Sequence, residues 1–394
     1  MKKQSSILGI KVVIPARNEP NGHLAAEALV DPKFNDIDIE IIVVINAAIS
    51  DESTVFDNNR ILSARLDHLS NSIPENYKIH MIRSEHIPEK KSGVGYARKL
   101  GMDEAARRFH ENNQTGIIVC YDADCKAPSG YLSAIYRVFR KTGIELGIIR
   151  FRHELVENSE AILTYEAMLR FYSLSLRKAG YPFWHQTVGS CMAVRSDTYL
   201  KQGGMNSRQA GEDFYFLHKL MPVCATTTIV ETENMLSSRM SDRVPFGTGR
   251  AMLECSNQKI RMMYTYHPSI FNELEKFILG LKSRPTETLQ NGNTWVHAYF
   301  NEFQCWSDLE NIAKHTKGEG QFIKSFFQYF NGFRVLKYVH WCRDQYVANV
   351  PVLESINHLI SAGTDSSWPN VVLKLREMEI DEIKIDREII ADNP

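Results

Sequence analysis

Three features are scarce in this sequence: paired cysteines, long apolar segments and an excess of charge of one sign. The seven cysteines are scattered, without a Cys-x-x-Cys pair, which favours a reduced, cytoplasmic protein over a disulfide scaffold or a structural zinc site. No uncharged apolar run approaches the roughly 20 residues that span a bilayer, so we expect a soluble protein without a transmembrane segment. The formal net charge of −1 gives no reason to expect a nucleic-acid partner.

The chain is long enough for two domains, since it has 394 residues. Apolar, β-branched segments alternate with helical patterns in the first part, which predicts an α/β domain with a mainly parallel, Rossmann-like sheet over residues 1–250. Residues 251–394 are expected to form a mainly helical C-terminal region. The predicted strands cover residues 10–14, 39–45, 78–83, 116–120, 189–194 and 226–231. The predicted helices include residues 94–109, 128–140, 159–178, 196–201 and 214–220, with another from 53 onward.

Two carboxylates follow one of the predicted strands at its carboxyl end. The apolar run over residues 116–120 stops just before Asp122, and Asp124 comes two residues later. Ligands bind outside the carboxyl ends of strands in open α/β sheets, so both side chains are placed at the expected site. Paired carboxylates favour a hard cation such as Mg²⁺ or Mn²⁺, which can hold a diphosphate. The alternative is a polar turn with no ligand.

Several further segments match a known pattern in the same order. They are the residues 13–19 (VIPARNE), 43–46 (VVIN) with Asp51, 93–98 (GVGYAR), 122–124 (DAD), 189–195 (GSCMAVR) leading to 203–205, and Glu212-Asp213. Together these blocks, spread over roughly residues 8–250, resemble the family 2 glycosyltransferases, which have the GT-A fold. An ordered set of blocks is far more specific than a single Asp-x-Asp.

The resemblance implies a role for each block. It makes Asp122 and Asp124 the metal motif, for Mn²⁺ or Mg²⁺, and Asp213, in a pair with Glu212, the catalytic base. Donor contacts are implied for Pro15, Ala16, Arg17, Asn18, Glu19, Asn46, Asp51, Arg98, Gly189 and Ser190. Two of these have a structural alternative, because Asn46 could be a turn residue and Arg98 could lie on a solvated helix face.

The third metal ligand of many GT-A enzymes, often a histidine late in the domain, has no counterpart here. No histidine occurs between His218 and His267, and Asp242 is the nearest candidate. Asp242 lies in a loop over residues 239–250, which has three arginines, Arg239, Arg243 and Arg250, around a Gly-Thr-Gly sequence. Arginines bind phosphate oxygens bidentately, so this loop is assigned to the donor. The alternative is a hinge between domains with exposed arginines.

The aromatic segment 321–330 has two interpretations: it lies on a membrane surface, or it forms the core of a helical bundle, which we favour. The sequence predicts an inverting, metal-dependent glycosyltransferase that uses a nucleotide-diphosphate sugar, with a role in cell-surface glycan synthesis. Its acceptor would be a glycan, a lipid-linked or a small-molecule hydroxyl, and peripheral membrane contact is compatible with this. Two alternatives are a retaining GT-A transferase of the glycerate-glycosylating type and a non-catalytic sugar-nucleotide-binding protein.

Overall fold

The structure is a computed structural model that describes residues 7–154, 160–208, 211–239, 264–360 and 367–392. Contacts divide the chain into two compact units. The first contains residues 1–155 and 187–250, and the second contains residues 156–186 and 251–394. The sequence placed a linear domain boundary at residue 250. The second unit also takes residues 156–186, which a linear division assigns to the first.

Within the residues that the structure describes, the first unit is built on one sheet of seven strands. Numbered along the chain, these are β1 (Ile7–Ala16), β2 (Asp38–Ala48), β3 (Tyr77–Ile87), β4 (Thr115–Cys120), β5 (Leu146–His153), β6 (Met192–Arg195) and β7 (Thr226–Leu236). Its helices are α1 (His23–Glu27), α2 (Ser53–Ser70), α3 (Val94–Glu111), α4 (Tyr131–Thr142), α6 (Ser196–Lys201) and α7 (Glu212–Leu220).

The strand order is β3-β2-β1-β4-β6-β5-β7. All neighbours run parallel except β6, which is antiparallel to both β4 and β5. The expected α/β fold with a mainly parallel sheet is confirmed, as is the helical C-terminal region. Strand β5 was not among the predicted strands. It is buried at nearly every position up to Ile149 and then alternates between buried and half-buried residues.

The register of the central strands brings three of the sequence blocks to one edge. Val13 pairs with Cys120 across β1 and β4, and Ala16 pairs with Ile45 across β1 and β2. Because the three strands are parallel, their carboxyl ends lie side by side. Helix α3 packs closely behind them at Gly101, where an added Cβ would lie 2.4 Å from a methyl of Val13.

The second unit is mainly helical. Its elements are α5 (Glu160–Lys178), β8 (Tyr264–Thr265), α8 (Pro268–Ser283), α9 (Pro285–Asn291), α10 (Trp295–Glu302), α11 (Trp306–His315), α12 (Glu319–Tyr329), α13 (Gly332–Gln345), β9 (Val350–Pro351), α14 (Val352–Ile356) and α15 (Trp368–Asp392).

Aromatic side chains fill the interior of this unit. Phe326 and Phe330 are 0% exposed, and Phe322 and Phe327 are buried with them, so the segment 321–330 is the core of a bundle, as favoured from the sequence. A buried ionic cluster joins α5 to α15: Arg170 pairs with Glu166 and Glu379, and Arg376 also binds Glu166. Among the described helices, none is both long and apolar enough to cross a membrane.

Candidate functional site

A cavity of about 290 Å³ opens at the carboxyl edge of the sheet in the first unit. The loop after β1 supplies Pro15, Ala16, Arg17 and Glu19 to its wall, and Asn46 reaches it from β2. The lining also includes residues that follow β4 and a segment before β6: Asp122, Asp124, Val188 and Ser190. The structure therefore brings together most of the residues that the sequence assigned to a donor and a metal.

Asn46 is a buried residue and not part of a turn, so the alternative interpretation from the sequence is wrong. It is the ninth residue of β2, its side chain donates to the carbonyl of Ser92 at 2.6 Å, and its own carbonyl accepts from Asn59. Ser92 lies just before helix α3 and also lines the cavity. Asn46 thus ties the end of β2 to the start of α3 at the cavity wall.

Arg98 lies inside the protein. The alternative left open by the sequence, a position on a solvated helix face, is therefore wrong. Its side chain is 3% exposed, and its Nη2 donates to Oδ1 of Asp122 at 2.8 Å. Its Nη1 donates to Oε1 of Glu212 at the start of α7. Burial opposes the charge, but Asp122 and Glu212 raise the pKa of Arg98 well above its usual value, so the guanidinium stays charged.

Two glycines make room for this ion pair. A Cβ on Gly189 would lie 2.7 Å from Nη1 of Arg98 and 2.9 Å from its Cζ. A Cβ on Gly95 would lie 3.0 Å from the side chain of Glu212 and 2.1 Å from the carbonyl oxygen of Arg208. Close approach of the Gly189 and Ser190 backbone to a sugar or acceptor stays a prediction. In the structure Gly189 packs against Arg98, and Ser190 next to it lines the cavity.

Asp213 and Glu212 open helix α7 and share a crowded electrostatic environment. Asp213 accepts a hydrogen bond of 2.7 Å from the N–H of Phe214, and the N–H of Gly189 also binds it. Burial raises the pKa of both carboxyls, and the charge of Asp122 raises it further, while Arg98 opposes the shift. With three carboxyls around one guanidinium, the Glu212–Asp213 pair keeps a proton to higher pH than an ordinary carboxyl does.

Asp124 contacts Arg239, the first arginine of the loop that the sequence assigned to the donor. Arg239, just after β7, donates to Oδ2 of Asp124 at 3.1 Å and grips both carboxylate oxygens of Glu19. Arg239 also lines the cavity. The hydrogen bonds to Glu19, ahead of the opposing effect of burial, raise the pKa of Arg239. Only the three-dimensional arrangement pairs these groups, which lie 220 and 115 residues apart in sequence.

Asp51 lies just before helix α2 but does not cap it. The N-cap residue is Glu52, and no side chain caps the helix. Asp51 instead binds Arg17 through two hydrogen bonds and accepts from the N–H of Ala48 at 2.8 Å. Arg17 lines the cavity, so Asp51 acts through it. Asn18 is exposed, with φ of 58°, and is held by Asn58 and Asn59.

The carboxylates at the cavity fit a hard cation. The side chains of Asp122 and Asp124 are 35% and 33% exposed, and both line the same cavity. Mg²⁺ is commonly bound by one or two carboxylates, with waters and substrate phosphates completing its shell. The described residues include no cluster of three or more potential His, Cys, Asp or Glu ligands. The candidates Asp242, Arg243 and Arg250 lie outside the described residues.

No protein-family model matches this chain, and no curated protein matches it. Among solved structures, the chain is similar to S. aureus TarS. The structure of TarS 1–349 in complex with UDP-GlcNAc shares 13% identity with a TM-score of 0.42, over 73% of this chain and 76% of that chain. TarS 1–349 without a named ligand (13%, TM-score 0.41) and in complex with UDP (12%, TM-score 0.41) each match over 91% of this chain and 94% of theirs. Likeness at this level does not bear on function, which is inferred below from the site itself.

Proposed function

We propose that this protein is a metal-dependent glycosyltransferase that moves a sugar from a nucleotide-diphosphate sugar to a hydroxyl acceptor, with inversion at the anomeric carbon. One observation supports this most strongly. Asp122 and Asp124 follow β4 into a cavity that is also lined by residues of the Pro15–Glu19 loop and by Asn46. The resemblance of these same segments to family 2 glycosyltransferases with the GT-A fold agrees with it.

The proposed donor site has an acidic and a polar side. Asp122 and Asp124 would hold Mn²⁺ or Mg²⁺, which neutralises the charge that develops on the leaving diphosphate. Asn46, whose amide nitrogen donates to Ser92, offers its amide oxygen to the nucleoside as an acceptor, and Arg17, held by Asp51, adds a guanidinium. Arg98 supports Asp122 from behind and keeps its carboxylate in place.

Asp213 is the proposed general base. It lies beside Gly189, next to Ser190 on the cavity wall, and its raised pKa makes it a better proton acceptor once ionised. In the transfer, Asp213 accepts the proton of the acceptor hydroxyl as that oxygen bonds to the anomeric carbon. The bond from the anomeric carbon to the diphosphate oxygen breaks, and the nucleoside diphosphate leaves with the electron pair. Glu212, bound to Arg98, is a positioning residue in this scheme.

A donor screen tests the proposal. UDP-, GDP- and dTDP-linked sugars are added to the protein with Mn²⁺, with Mg²⁺ and with EDTA, and the melting temperature is measured. We expect one nucleotide class to raise the melting temperature, more so with metal, and Asp124→Asn to remove the metal-dependent part. Asp197→Asn is the matched control, because Asp197 is similarly exposed (31%) and is also paired with an arginine. No stabilisation by any donor would contradict the proposal.

The product assay separates the alternatives. Release of nucleoside diphosphate in the presence of a working acceptor shows turnover. The anomeric configuration of the product then distinguishes an inverting from a retaining enzyme. A non-catalytic binder would show donor stabilisation without turnover on any glycan, lipid-linked or small-molecule acceptor. Asp213 is bound to the backbone of Gly189, whose neighbour Ser190 lines the cavity, and the pKa of its carboxyl is raised, which together favour catalysis over binding alone.

A further inference from the structure

Arg239 joins two carboxylates on the wall of the cavity. Its Nη1 donates to Oε2 of Glu19 at 3.0 Å, and its Nη2 donates to Oε1 of Glu19 at 2.5 Å. The same Nη2 donates to Oδ2 of Asp124 at 3.1 Å. One nitrogen therefore contacts both acidic side chains, and a positive charge already lies against the carboxylate proposed to hold the cation.

The two contacts of Arg239 differ in strength. Glu19 is gripped by both nitrogens in the forked geometry that makes guanidinium–carboxylate pairs strong, whereas Asp124 receives one longer hydrogen bond. The side chain of Glu19 is 12% exposed, against 33% for Asp124 and 44% for Arg239. Glu19 is thus the anchor of this guanidinium, and Asp124 is the partner it can give up.

Arg98 provides the contrast within the same site. It binds the other carboxylate of the motif, Asp122, but its side chain is 3% exposed and Gly189 packs directly against its guanidinium. Arg98 is therefore fixed, while Arg239 is exposed enough to move. A guanidinium that moves can serve two partners in turn: the carboxylate of Asp124 and the oxygens of a phosphate, which has the same forked complementarity.

We infer that Arg239 exchanges partners in the donor site, neutralising Asp124 in the donor-free protein and binding the diphosphate when a divalent cation takes Asp124. This rests on the proposed function. The exchange affects metal affinity and nucleotide affinity in opposite directions. Without donor, Arg239 competes with the cation for Asp124 and weakens metal binding. With the cation bound, Arg239 adds a hydrogen-bonded charge to the diphosphate and strengthens nucleotide binding.

The test measures both affinities by calorimetry in wild type and Arg239→Gln. For Mn²⁺ alone, with no nucleotide, we expect the variant to bind roughly 5-fold more tightly, because a partly exposed competing charge is gone. For the nucleoside diphosphate at saturating Mn²⁺, we expect the variant to bind roughly 10-fold more weakly. A purely structural role of Arg239 would weaken both or change neither, so the opposite signs identify the exchange.

Arg107→Gln is the matched control, because Arg107 is 51% exposed and pairs with Glu104 and Glu111 on the outer face of α3. It should alter neither affinity. In an Asp124→Asn background, Arg239→Gln should no longer tighten Mn²⁺ binding, since the contested carboxylate is absent. Arg239→Lys keeps the positive charge but lacks the forked guanidinium, so its Mn²⁺ affinity should stay near that of wild type while its diphosphate affinity still falls. If circular dichroism shows that Arg239→Gln is unfolded, Arg239→Lys takes its place.

The outcomes separate this inference from the proposed function. A wild-type protein that binds neither Mn²⁺ nor any nucleoside diphosphate would contradict the proposed function itself. If wild type binds both but Arg239→Gln changes both affinities in the same direction, or neither, the exchange is wrong while the function stands. Nucleotide binding without measurable Mn²⁺ binding in either protein would also overturn the exchange.

Discussion

Arg98 reaches Asp122 from inside the protein, with a hydrogen bond of 2.8 Å from Nη2 to Oδ1. Asp122 is one-third exposed on its cavity side, so one carboxylate faces both the buried guanidinium and the space proposed for donor and metal. Through its other nitrogen, Arg98 also binds Glu212, the neighbour of the proposed base. The proposed donor site and the proposed base are therefore connected by one buried charge.

Gly189→Ala should disturb this connection directly. The new Cβ would lie 2.7 Å from Nη1 of Arg98, so the guanidinium must shift away from Asp122 or Glu212. We expect a loss of about 2 kcal/mol in the free energy of unfolding, as for other overpacked interiors, together with weaker donor binding. Denaturant titration and nucleotide titration measure the two effects.

Gly320→Ala serves as the control for this substitution. Gly320 lies in helix α12, and a Cβ there meets nothing within 4 Å. Alanine is favoured over glycine in a helix, so the control should be about 0.5 kcal/mol more stable than wild type. Equal stability of Gly189→Ala and wild type would show that Arg98 is not packed as described.

Asp213→Asn should separate catalysis from folding. Asparagine keeps the size of the side chain and its ability to accept a hydrogen bond from the N–H of Phe214. It cannot accept a proton from the acceptor, so we expect turnover to fall roughly 100-fold or more with donor affinity nearly unchanged. Steady-state kinetics with a working acceptor, beside nucleotide titration, checks both. Turnover near that of wild type would remove Asp213 from the role of base.

The pH dependence of turnover should reflect the crowded carboxyls. Because the pKa of Asp213 is raised by burial, the base is protonated at a pH where an ordinary aspartate, with a pKa of about 4, is still ionised. Activity should therefore be lost on the acidic side at higher pH than for an ordinary aspartate. Glu212→Gln removes a neighbouring negative charge, so the acidic limb should move to lower pH.

Glu104→Gln, on the surface of the same helix as Arg98, is the control for the pH profile and should leave the acidic limb in place. The profile is measured as kcat/KM against pH in buffers of constant ionic strength. An acidic limb that moves upward in Glu212→Gln, or does not move, would contradict the described coupling.

Truncation after residue 255 should give insoluble protein. Helix α5 belongs to the second unit, and its Arg170 and Glu166 are both 0% exposed. Arg170 binds Glu379 of α15, and Glu166 binds Arg376 of α15. Removing α15 leaves this buried pair with fewer partners and exposes the apolar face of α5. The soluble fraction after expression measures the effect. A soluble truncated protein that keeps donor binding but no longer associates with vesicles would favour the membrane-anchoring interpretation instead.

The parts of the fold that could be predicted are those encoded locally. The β-branched run of β4 and the helical period of α3 both lie in single segments, and their bounds differ from the structure by a few residues. Strand β5 carries two arginines and a histidine in its second half, which obscured a strand signal. The antiparallel direction of β6 depends on its neighbours and leaves no trace in its own four residues.

The site was predicted as a set of positions but not as a set of contacts. Asp122, Asp124 and the Pro15–Glu19 loop follow strands, so topology alone brings them together. The arginines could not be assigned in the same way, because the partners of Arg98 lie 24 and 114 residues away. Arg239 was seen in sequence only as one member of an arginine-containing loop, and its pairing with Glu19 and Asp124 required the structure.

The most direct test of the central claim is the affinity of wild-type protein for a nucleoside diphosphate measured by calorimetry in Mn²⁺ and in EDTA, with Asp124→Asn alongside. If Asp122 and Asp124 hold a cation that holds the diphosphate, binding should be roughly 10-fold or more tighter in Mn²⁺, and Asp124→Asn should lose that difference. Asp197→Asn should keep it. Equal affinity in Mn²⁺ and in EDTA for the wild-type protein would contradict a metal-dependent donor site at these two carboxylates.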